Sequence, residues 1–383
     1  MLRWLDAGES HGIGITTIVE GLPLGLPVTS PEIEAELARR RSGYGRGARM
    51  ELERDRVEIL AGIRAGSTIG GPVALLVRNA EYEKWKEIMR IEVGDAGASM
   101  TRLRPGHADL AGALKYGTRD VRNVLERASA RTTVGRVCAG ALAKRFLAEL
   151  EIFVGSHVVA VGSISAKGGV PEWEAIRGAD NDPMRCLDAA ASLLMRKEID
   201  RVGEQGDSLG GTFEIVAYGL PAGLGSYVHW DRRLDARLAA AVMSIQAVKG
   251  VEVGDGFGLS RLAGSQAVDV IRHEEGRGFF HLTNHSGGVE GGMTNGEDVV
   301  MRAAMKPIPT LGDPLGSVDL VTKQEVKAAV ERADICAVPA AAVIAESAVA
   351  LVISDALLEK TGGDSMAEVR SRYRAILDEQ ALF

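Results

Sequence analysis

The sequence has 383 residues, enough for one large domain or two of medium size, with the 46% hydrophobic and 25% charged residues usual for globular proteins. A net charge of −7 argues against a general binder of nucleic acid or membrane surfaces, and aromatic residues, at 4%, are scarce for base stacking. The three cysteines are far apart, which argues against a disulfide framework or a CxxC metal site and indicates a reducing compartment.

Helix signals recur along the chain. Ser30 as a cap and Pro31 as the first helical residue predict a helix to about Arg41. Further helices are expected at 132–150, at 233–248 with Gly250 as its stop, and from a capping box at 322–325 to about 332.

Apolar runs that predict strands lie between these helices, at 57–63, 73–77, 154–164, 212–218 and 267–273, the last continuing into a hairpin. Strands and helices alternate without a regular βαβ pattern. This favours an α+β fold, a sandwich of sheets and helices, over a doubly wound one.

Two segments bear on domain organisation. The polar run 168–185 is expected to be a surface excursion from a single domain that spans residues 1–383. Val338–Leu358 is apolar but contains Glu346 and Asp355, so a buried helix with close helix contacts is expected and a membrane span is not. The N-terminus has no apolar signal-peptide core, and a cytoplasmic location is the expectation.

The common phosphate and metal motifs are absent from the sequence. Gly43–Gly47 has the wrong spacing for GxGxxG, no GxxxxGK[ST] occurs, and His273-Glu274 does not continue as HExxH. A Rossmann dehydrogenase and a P-loop enzyme are therefore set aside. His281 and His285 lack a third ligand of fitting spacing, so no metal site is expected.

Three basic segments could bind an anion. Arg39–Arg41 can be explained by the helix dipole alone, but Arg46 and Arg49 lie among glycines, where a guanidinium suits phosphate or carboxylate. Glu126–Arg131 enters a helix, where Ser129 is either a simple cap or part of an anion site. The stretch 305–310 is either an ordinary edge strand or a rigid ligand-binding segment.

Two histidine loops are the fourth signal. Gly8–Gly12 contains His11, and Arg104–Asp109 contains His107, each with hydroxyl or charged neighbours. Histidine exchanges protons near neutral pH, so the pair predicts acid–base chemistry. His157, His229 and His273 are interpreted as structural.

Taken together, these segments resemble the chorismate synthase family. The resemblance rests on ten motifs in order: AGESHG (7–12), RSGYGRGARM (41–50), RPGHADLAGALKYG (104–117), RNVLERASAR (122–131), GDSLGG (206–211), GVEVGDGFG (250–258), NHSGGVEGGMTNG (284–296), RAAMKPIPTL (302–311), ERADICAVPAA (331–341) and LLEKTGGDS (357–365). Thr132-Thr133 depart from the family pattern, in which an acidic residue is usual, and 168–185 is idiosyncratic.

The resemblance implies a single domain with a β-α-β sandwich of antiparallel sheets and helices. It implies that 5-O-(1-carboxyvinyl)-3-phosphoshikimate loses phosphate in an anti 1,4-elimination to give chorismate. Reduced FMN is required although no net oxidation occurs. The family is typically a homotetramer in the cytoplasm, and no nucleic acid or membrane partner is expected. NADPH enters only as a possible source of reducing equivalents, and we expect an external flavin reductase.

The resemblance also implies residue roles. His11 protonates the leaving phosphate, His107 stabilises the reduced flavin, Asp334 assists at the flavin, and Ser10 and Ser129 link the proton network. The residues implied to line the FMN site are Arg127, Ala128, Ser129, Gln246, Ala247, Gly291, Lys306, Pro307, Ile308, Pro309, Thr310 and Arg332. Those implied to hold substrate or NADP are Arg40, Arg46, Arg49 and Arg131.

Three other classes remain as alternatives. A flavin oxidoreductase would leave its flavin oxidised after each turnover. A non-catalytic phosphosugar-binding module would need the arginines but not the paired histidines. An RNA-binding protein fits poorly with the acidic net charge.

Overall fold

The structure is a computed structural model that describes residues 1–47, 55–329 and 334–383. Two antiparallel sheets form its framework. The first has the strand order β1-β2-β6-β3 and the second β10-β15-β9-β7-β8. Their strands are β1 (Arg3–Ala7), β2 (Gly14–Glu20), β3 (Val57–Ala61), β6 (Val73–Arg78), β7 (Phe153–Val161), β8 (Ile164–Ser165), β9 (Gly211–Tyr218), β10 (Val248–Val253) and β15 (Val299–Met305).

Shorter hairpins and helices connect these strands. The two-stranded hairpins are β4 (Ile63–Arg64) with β5 (Ser67–Thr68), β11 (Ile271–Glu274) with β12 (Gly278–His281), β13 (Val289–Glu290) with β14 (Met293–Thr294), and β16 (Gly316–Val318) with β17 (Glu325–Lys327). The helices are α1 (Ser30–Arg41), α2 (Tyr82–Trp85), α3 (Asp109–Tyr116), α4 (Arg122–Ala128), α5 (Thr133–Ala148), α6 (Trp173–Arg177), α7 (Ala189–Glu204), α8 (Leu234–Met243), α9 (Gly264–Ala267), α10 (Val338–Thr361) and α11 (Met366–Gln380).

Helices fill the space between the two sheets. α5 packs against β1 and β2 on one side and against α10 on the other, and α10 packs against β7 and β9. The apolar residues of both sheets and these helices form one continuous core. The α+β sandwich of antiparallel sheets and helices expected from the sequence is therefore confirmed.

The central helix α10 is the apolar segment that resembles a membrane span. It is long and apolar enough to cross a bilayer, but 89% of its most apolar window is buried inside the protein. A side chain at Gly140 of α5 would collide with Ser347 of α10, since the added carbon would lie 2.2 Å from the Ser347 Cβ. Small residues thus allow these two helices to approach closely, as expected for an Ala-rich buried helix.

Several predicted element boundaries are wrong. The cap of α1 is Thr29, which forms a capping box with Glu32, and not Ser30. The helix expected to run from 233 to 248 ends at Met243, because Ala247 has a positive φ of 67° and Val248 begins β10. The strand expected from Ala267 begins only at Ile271, since Ala267 ends α9.

The capping box at 322–325 does not open a helix. Glu325–Lys327 is instead strand β17, paired with β16. The Asp319 carboxylate accepts hydrogen bonds from the backbone of Val321 and Thr322, and Lys323 has a φ of 64°. This aspartate-centred turn closes a hairpin where the local pattern suggested a helix start.

The segment 168–185 is not entirely on the surface. Its helix α6 places Ile176 against the outer face of β9, where Val216 and Tyr218 are buried. The Tyr218 hydroxyl donates to the Pro171 carbonyl oxygen at 2.7 Å. Met184 and Arg185 are buried at its end. The segment therefore covers the outer face of the second sheet.

Candidate active site

His11 lies in the loop between β1 and β2 and contacts a buried carboxylate from α4. Its Nδ1 is 2.9 Å from Glu126 Oε1, and its backbone N–H donates to Glu126 Oε2 at 2.8 Å. Burial opposes ionisation of Glu126, but the bonds from His11 and the charge of Arg122 lower its pKa below the usual range. An ionised Glu126 accepts the Nδ1 proton, so Nε2 is the ring nitrogen directed away from the carboxylate.

Ser10 and Ser129 extend this arrangement. Ser129 donates to Ser10 through their hydroxyl oxygens at 3.2 Å, and the Ser10 backbone N–H donates to the Glu126 carbonyl oxygen at 3.0 Å. Ser129 also caps the short 3₁₀ turn Ala130–Thr132 by accepting from the Arg131 N–H. Ser129 is therefore a cap, one of the two roles that the sequence left open, and its hydroxyl also lies next to the histidine loop.

His107 has its own carboxylate, two residues further along the chain. Its Nδ1 is 2.7 Å from Asp109 Oδ1, and Arg104 donates to both Asp109 oxygens at 2.9 Å. Asp109 is fully buried. Burial opposes its ionisation, but the bonds from Arg104 and His107 hold its pKa well below the usual range.

The carboxylates of the two histidine sites lie on helices that pack together. Asp109 begins α3, Glu126 lies on α4, and the two helices share a small apolar core that contains Ala113 and Leu125. Both sites therefore combine a half-buried imidazole with an ionised, buried carboxylate at Nδ1. Such a pair can hold the ring in one orientation while Nε2 gives or takes a proton.

The extended segment 306–310 packs beside the His107 loop. Lys306 Nζ donates to the Gly106 carbonyl oxygen at 2.7 Å, and Pro309 lies against Gly106. The segment is fixed at two further points, because the Lys306 N–H donates to the Ala247 carbonyl oxygen and the Ser208 hydroxyl donates to that of Ile308. Pro307 is exposed and Thr310 half-buried.

Gln246 connects this segment to the Ser129 region. Its amide nitrogen donates to the Thr132 hydroxyl at 3.3 Å, and Thr132 in turn donates to the Ser129 carbonyl oxygen. A cavity of about 170 Å³ opens here, bordered by the following polar side chains and one indole: Asp6, Arg127, Thr132, Thr133, Arg136, Gln246 and Trp4. Arg127 reaches it from α4 and pairs with Asp6 at 3.0 Å. Ala128 is half-buried at the end of α4.

Two predicted anion-binding arginines are buried around one aspartate. Arg131 Nη1 donates to Asp55 Oδ1 at 2.6 Å, and Arg40 Nη1 lies 3.7 Å from Asp55 Oδ2. Arg40 also donates to the Thr133 hydroxyl. Asp55 thus holds the two guanidinium groups side by side.

Arg46 and Asp334 form a second ion pair near this cluster. Arg46 Nε is 3.1 Å from Asp334 Oδ2, and the Gly47 N–H donates to Asp334 Oδ1 at 2.8 Å. Arg46 also donates to the Arg40 carbonyl oxygen at 3.3 Å, which connects the pair to α1. Arg49 and Arg332, the other predicted arginines, lie outside the described residues.

Gly291 is the one described site residue that lies elsewhere. It is in the β13–β14 hairpin, where Gly292 accepts from the Leu234 N–H at the start of α8. Gln246 follows the other end of this helix, about 15 Å along its axis at 1.5 Å per residue. Within one chain, Gly291 is therefore apart from the other predicted FMN-binding residues.

Four of the remaining histidines, His157, His229, His281 and His285, have acidic neighbours. His281 lies 3.3 Å from both Glu290 and Glu297, and His285 lies 2.6 Å from Asp255. Across residues 1–47, 55–329 and 334–383, there is no group of three or more potential metal ligands. His157 pairs with Glu214 inside the second sheet, in keeping with a structural role.

Sequence reasoning missed four side chains of the site: Glu126, Asp109, Asp55 and Trp85. Trp85 stacks on the His11 ring with centroids 3.9 Å apart. Glu126 and Asp109 lie within motifs already singled out, and the short spacing of Asp109 from His107 was a usable signal. The long-range contacts of Asp55 and Trp85 leave no local pattern.

The chain is similar to known proteins over almost its whole length. The family model described as "Chorismate synthase" matches residues 2–358. The chorismate synthase of Moorella thermoacetica is 55% identical over 383 residues, which cover 99% of this chain and 100% of the relative. That of Aquifex aeolicus is 52% identical, covering 97% of this chain and 96% of the relative. A solved structure described as a crystal structure of chorismate synthase has a TM-score of 0.82 and 42% identity, covering 100% of this chain and 99% of the other.

Proposed function

The chain belongs to the chorismate synthase family and is a phosphate-eliminating lyase of the shikimate pathway, and on this premise we propose how its two histidine–carboxylate pairs divide the work. The substrate is 5-O-(1-carboxyvinyl)-3-phosphoshikimate, and the reaction is an anti 1,4-elimination that gives chorismate. The observation that carries the proposal is that the Nδ1 of each imidazole contacts an ionised, buried carboxylate.

His11 is the acid for the leaving phosphate. Its Nδ1 proton is held by Glu126, so the proton given to phosphate leaves from Nε2. Ser10 and Ser129 join their hydroxyls beside it and provide a route for the next proton. Arg40 and Arg131, held together by Asp55, and Arg46 supply positive charge for the substrate phosphate and carboxylates.

His107 holds positive charge near the cofactor. Reduced FMN, when bound, supplies electron density to the substrate as phosphate leaves and recovers it as the ring hydrogen departs. The described side chains suit such a ligand, because the guanidinium of Arg127, the amide of Gln246 and the hydroxyls of Thr132 and Thr133 border one cavity, with Ser129 and Lys306 on neighbouring segments. Asp334, fixed by Arg46 and the Gly47 N–H, acts as the proton acceptor beside this site.

The assembly and its supply of electrons complete the proposal. The hairpin β11–β12 and the turns before it expose large apolar side chains, notably Phe257, Val268, Ile271 and Phe279, as subunit contacts in a homotetramer would require. Reduced flavin comes from an external reductase rather than from NADPH on this chain, and the enzyme works in the cytoplasm.

An anaerobic assay tests this function. The protein is mixed with the phosphorylated substrate and chemically reduced FMN, and phosphate release is followed together with the flavin spectrum. Phosphate that accumulates over many turnovers while the flavin stays reduced supports elimination, and flavin that becomes oxidised in step with turnover refutes it. A parallel reaction with NADPH and oxidised FMN tests the need for an external reductase.

A further inference from the structure

Trp85 is a half-buried aromatic side chain that none of the roles above uses. Its indole stacks on the His11 imidazole with centroids 3.9 Å apart and planes 32° apart. Glu126 binds the edge of the same ring through Nδ1. The Glu126 contact fixes the rotation of the imidazole within its own plane, and the Trp85 contact fixes the orientation of that plane. The direction of Nε2 therefore depends on both contacts.

Asn79 ties Trp85 to the histidine loop. Its side-chain amide donates to the Ser10 carbonyl oxygen at 2.9 Å, and its backbone N–H donates to the Ile13 carbonyl oxygen. Its oxygens also accept from the backbone of Glu81 and Tyr82, which begin the short turn that contains Trp85. Asn79 is buried and bonds both the histidine loop and the turn that carries Trp85. It therefore fixes the position of the indole relative to the His11 ring.

Arg122 links the stacked indole to the carboxylate. Its guanidinium carbon is 5.3 Å from the Trp85 ring centroid, and its Nη1 is 3.3 Å from Glu126 Oε1. A guanidinium at this distance from an aromatic ring is favourable. Arg122 therefore contacts both Trp85 and Glu126, the two side chains that contact the His11 ring.

We propose that Trp85 is a positioning residue that holds the His11 ring so that Nε2 faces the departing phosphate. The inference rests on the proposed role of His11 as the acid. The position requires a flat aromatic side chain. A branched aliphatic side chain has no flat face for the His11 ring to rest against. Misplacement of a reacting group by about 1 Å can cost about 100-fold in rate.

The first experiment compares Trp85→Leu with Trp85→Phe in the anaerobic phosphate-release assay. We expect Trp85→Leu to lower kcat by about 10-fold or more with KM within about 2-fold, and Trp85→Phe to restore most of the lost rate. Trp230→Leu is the matched control, since Trp230 is exposed and lies beside His229 at a looser 6.1 Å. Circular dichroism and thermal unfolding establish that each variant is folded.

The second experiment measures the stack without turnover. The difference in emission between the full-length protein and Trp85→Phe isolates the Trp85 indole, and a cationic imidazole quenches an indole that it touches. We expect this emission to be lower at acidic pH, where a histidine is cationic, and the difference to vanish in a His11→Gln background. Arg122 is permanently charged, and Glu126 has a lowered pKa, so neither produces that change. The Lys84–Glu81 pair on the same turn remains in both backgrounds.

The outcomes separate the inference from the proposed function. Wild-type turnover of His11→Ala would overturn the role of His11, and the emission would still decide whether Trp85 contacts the ring. If His11→Ala is impaired while Trp85→Leu keeps wild-type kcat, or if Trp85→Phe is as slow as Trp85→Leu, the positioning role is wrong. Emission that does not depend on His11 overturns it as well.

Discussion

Replacement of Asp109 by asparagine tests whether a buried carboxylate sets the state of His107. The side chain keeps its size, but one of its two oxygens becomes an amide nitrogen that donates. In the native protein Arg104 donates to both oxygens and His107 Nδ1 contacts Oδ1. Asparagine therefore breaks at least one Arg104 bond in either orientation, and with its nitrogen at the Oδ1 position it also forces His107 Nδ1 to accept a hydrogen bond instead of donating one.

The structure gives the size of both effects. The Arg104–Asp109 pair is almost fully buried, and removing the charge of one partner in such a pair costs about 3–5 kcal/mol of unfolding free energy. With a neutral amide in place of the carboxylate, the cationic form of His107 loses its counter-charge, and acid–base groups contribute about 10²–10⁴ in rate, so we expect kcat to fall about 100-fold.

The pH dependence has a definite sign. The pKa of Asp109 is lowered in the folded protein, so its ion pair stabilises the fold fully above the unfolded aspartate pKa of about 3.9 and is lost as pH falls further. The stability difference between wild type and Asp109→Asn, measured by urea unfolding, should shrink as pH falls below about 4.

Asp231→Asn is the matched control, because His229 and Asp231 have the same two-residue spacing and a 2.8 Å contact but are both exposed. We expect it to leave kcat and stability unchanged, as is usual for surface substitutions. Turnover of Asp109→Asn within about 2-fold of wild type, in the anaerobic phosphate-release assay, would refute the claim that this carboxylate governs His107.

Three further predictions concern the same fold. His11→Ala and His107→Ala should each lower kcat by about 10-fold or more in that assay, and wild-type turnover of both would contradict the role assignments. Glu346→Gln should lower the free energy of urea unfolding by about 3–5 kcal/mol at pH 7. The reason is that this fully buried carboxylate accepts hydrogen bonds from Arg39, Lys144, Ser156 and Arg185. The control is Glu359→Gln at an exposed ion pair, and equal losses of stability in the two variants would disprove the argument. Burial raises the pKa of the Cys336 thiol to about 11 and that of the Cys138 thiol to about 12, and it also raises the pKa of Cys186. An aromatic disulfide reagent at pH 8 should therefore label these cysteines only after unfolding. Rapid labelling of the native protein would contradict their burial.

The motifs predicted the two histidine loops because each contains its whole signal within a few residues. His107 and Asp109 are two positions apart, and the loop that holds them is short and local. His11 is different, since its carboxylate is 115 residues away and reaches it only when α4 lies against the loop between β1 and β2. Sequence spacing could identify this histidine but not Glu126 as its partner.

Tertiary contacts also explain why some structural predictions from the sequence were wrong. The pattern Thr322–Glu325 is a sound local signal for a helix, but the turn around Asp319 and the pairing with β16 favour a strand. Gly291 belongs to a glycine-rich motif shared with the family, yet the length of α8 separates it from Gln246. Local propensity and motif content gave the element types well, and long-range packing determined which of the motifs meet.

The two histidine sites differ in what they require of the fold. Asp109 is the first residue of α3, where a negative charge is favoured by the helix dipole, so the His107 site is supported by its own helix start. The His11 site takes His11 from a β-hairpin loop, Trp85 from α2, and both Arg122 and Glu126 from α4, and it exists only when these three elements are assembled. The acid that we propose therefore lies in a site that three separate parts of the chain build together, whereas the side chains of the His107 site all belong to the segment Arg104–Asp109. On the proposed roles, protonation of the leaving phosphate depends on long-range packing around His11, and stabilisation of the flavin depends on a local segment around His107.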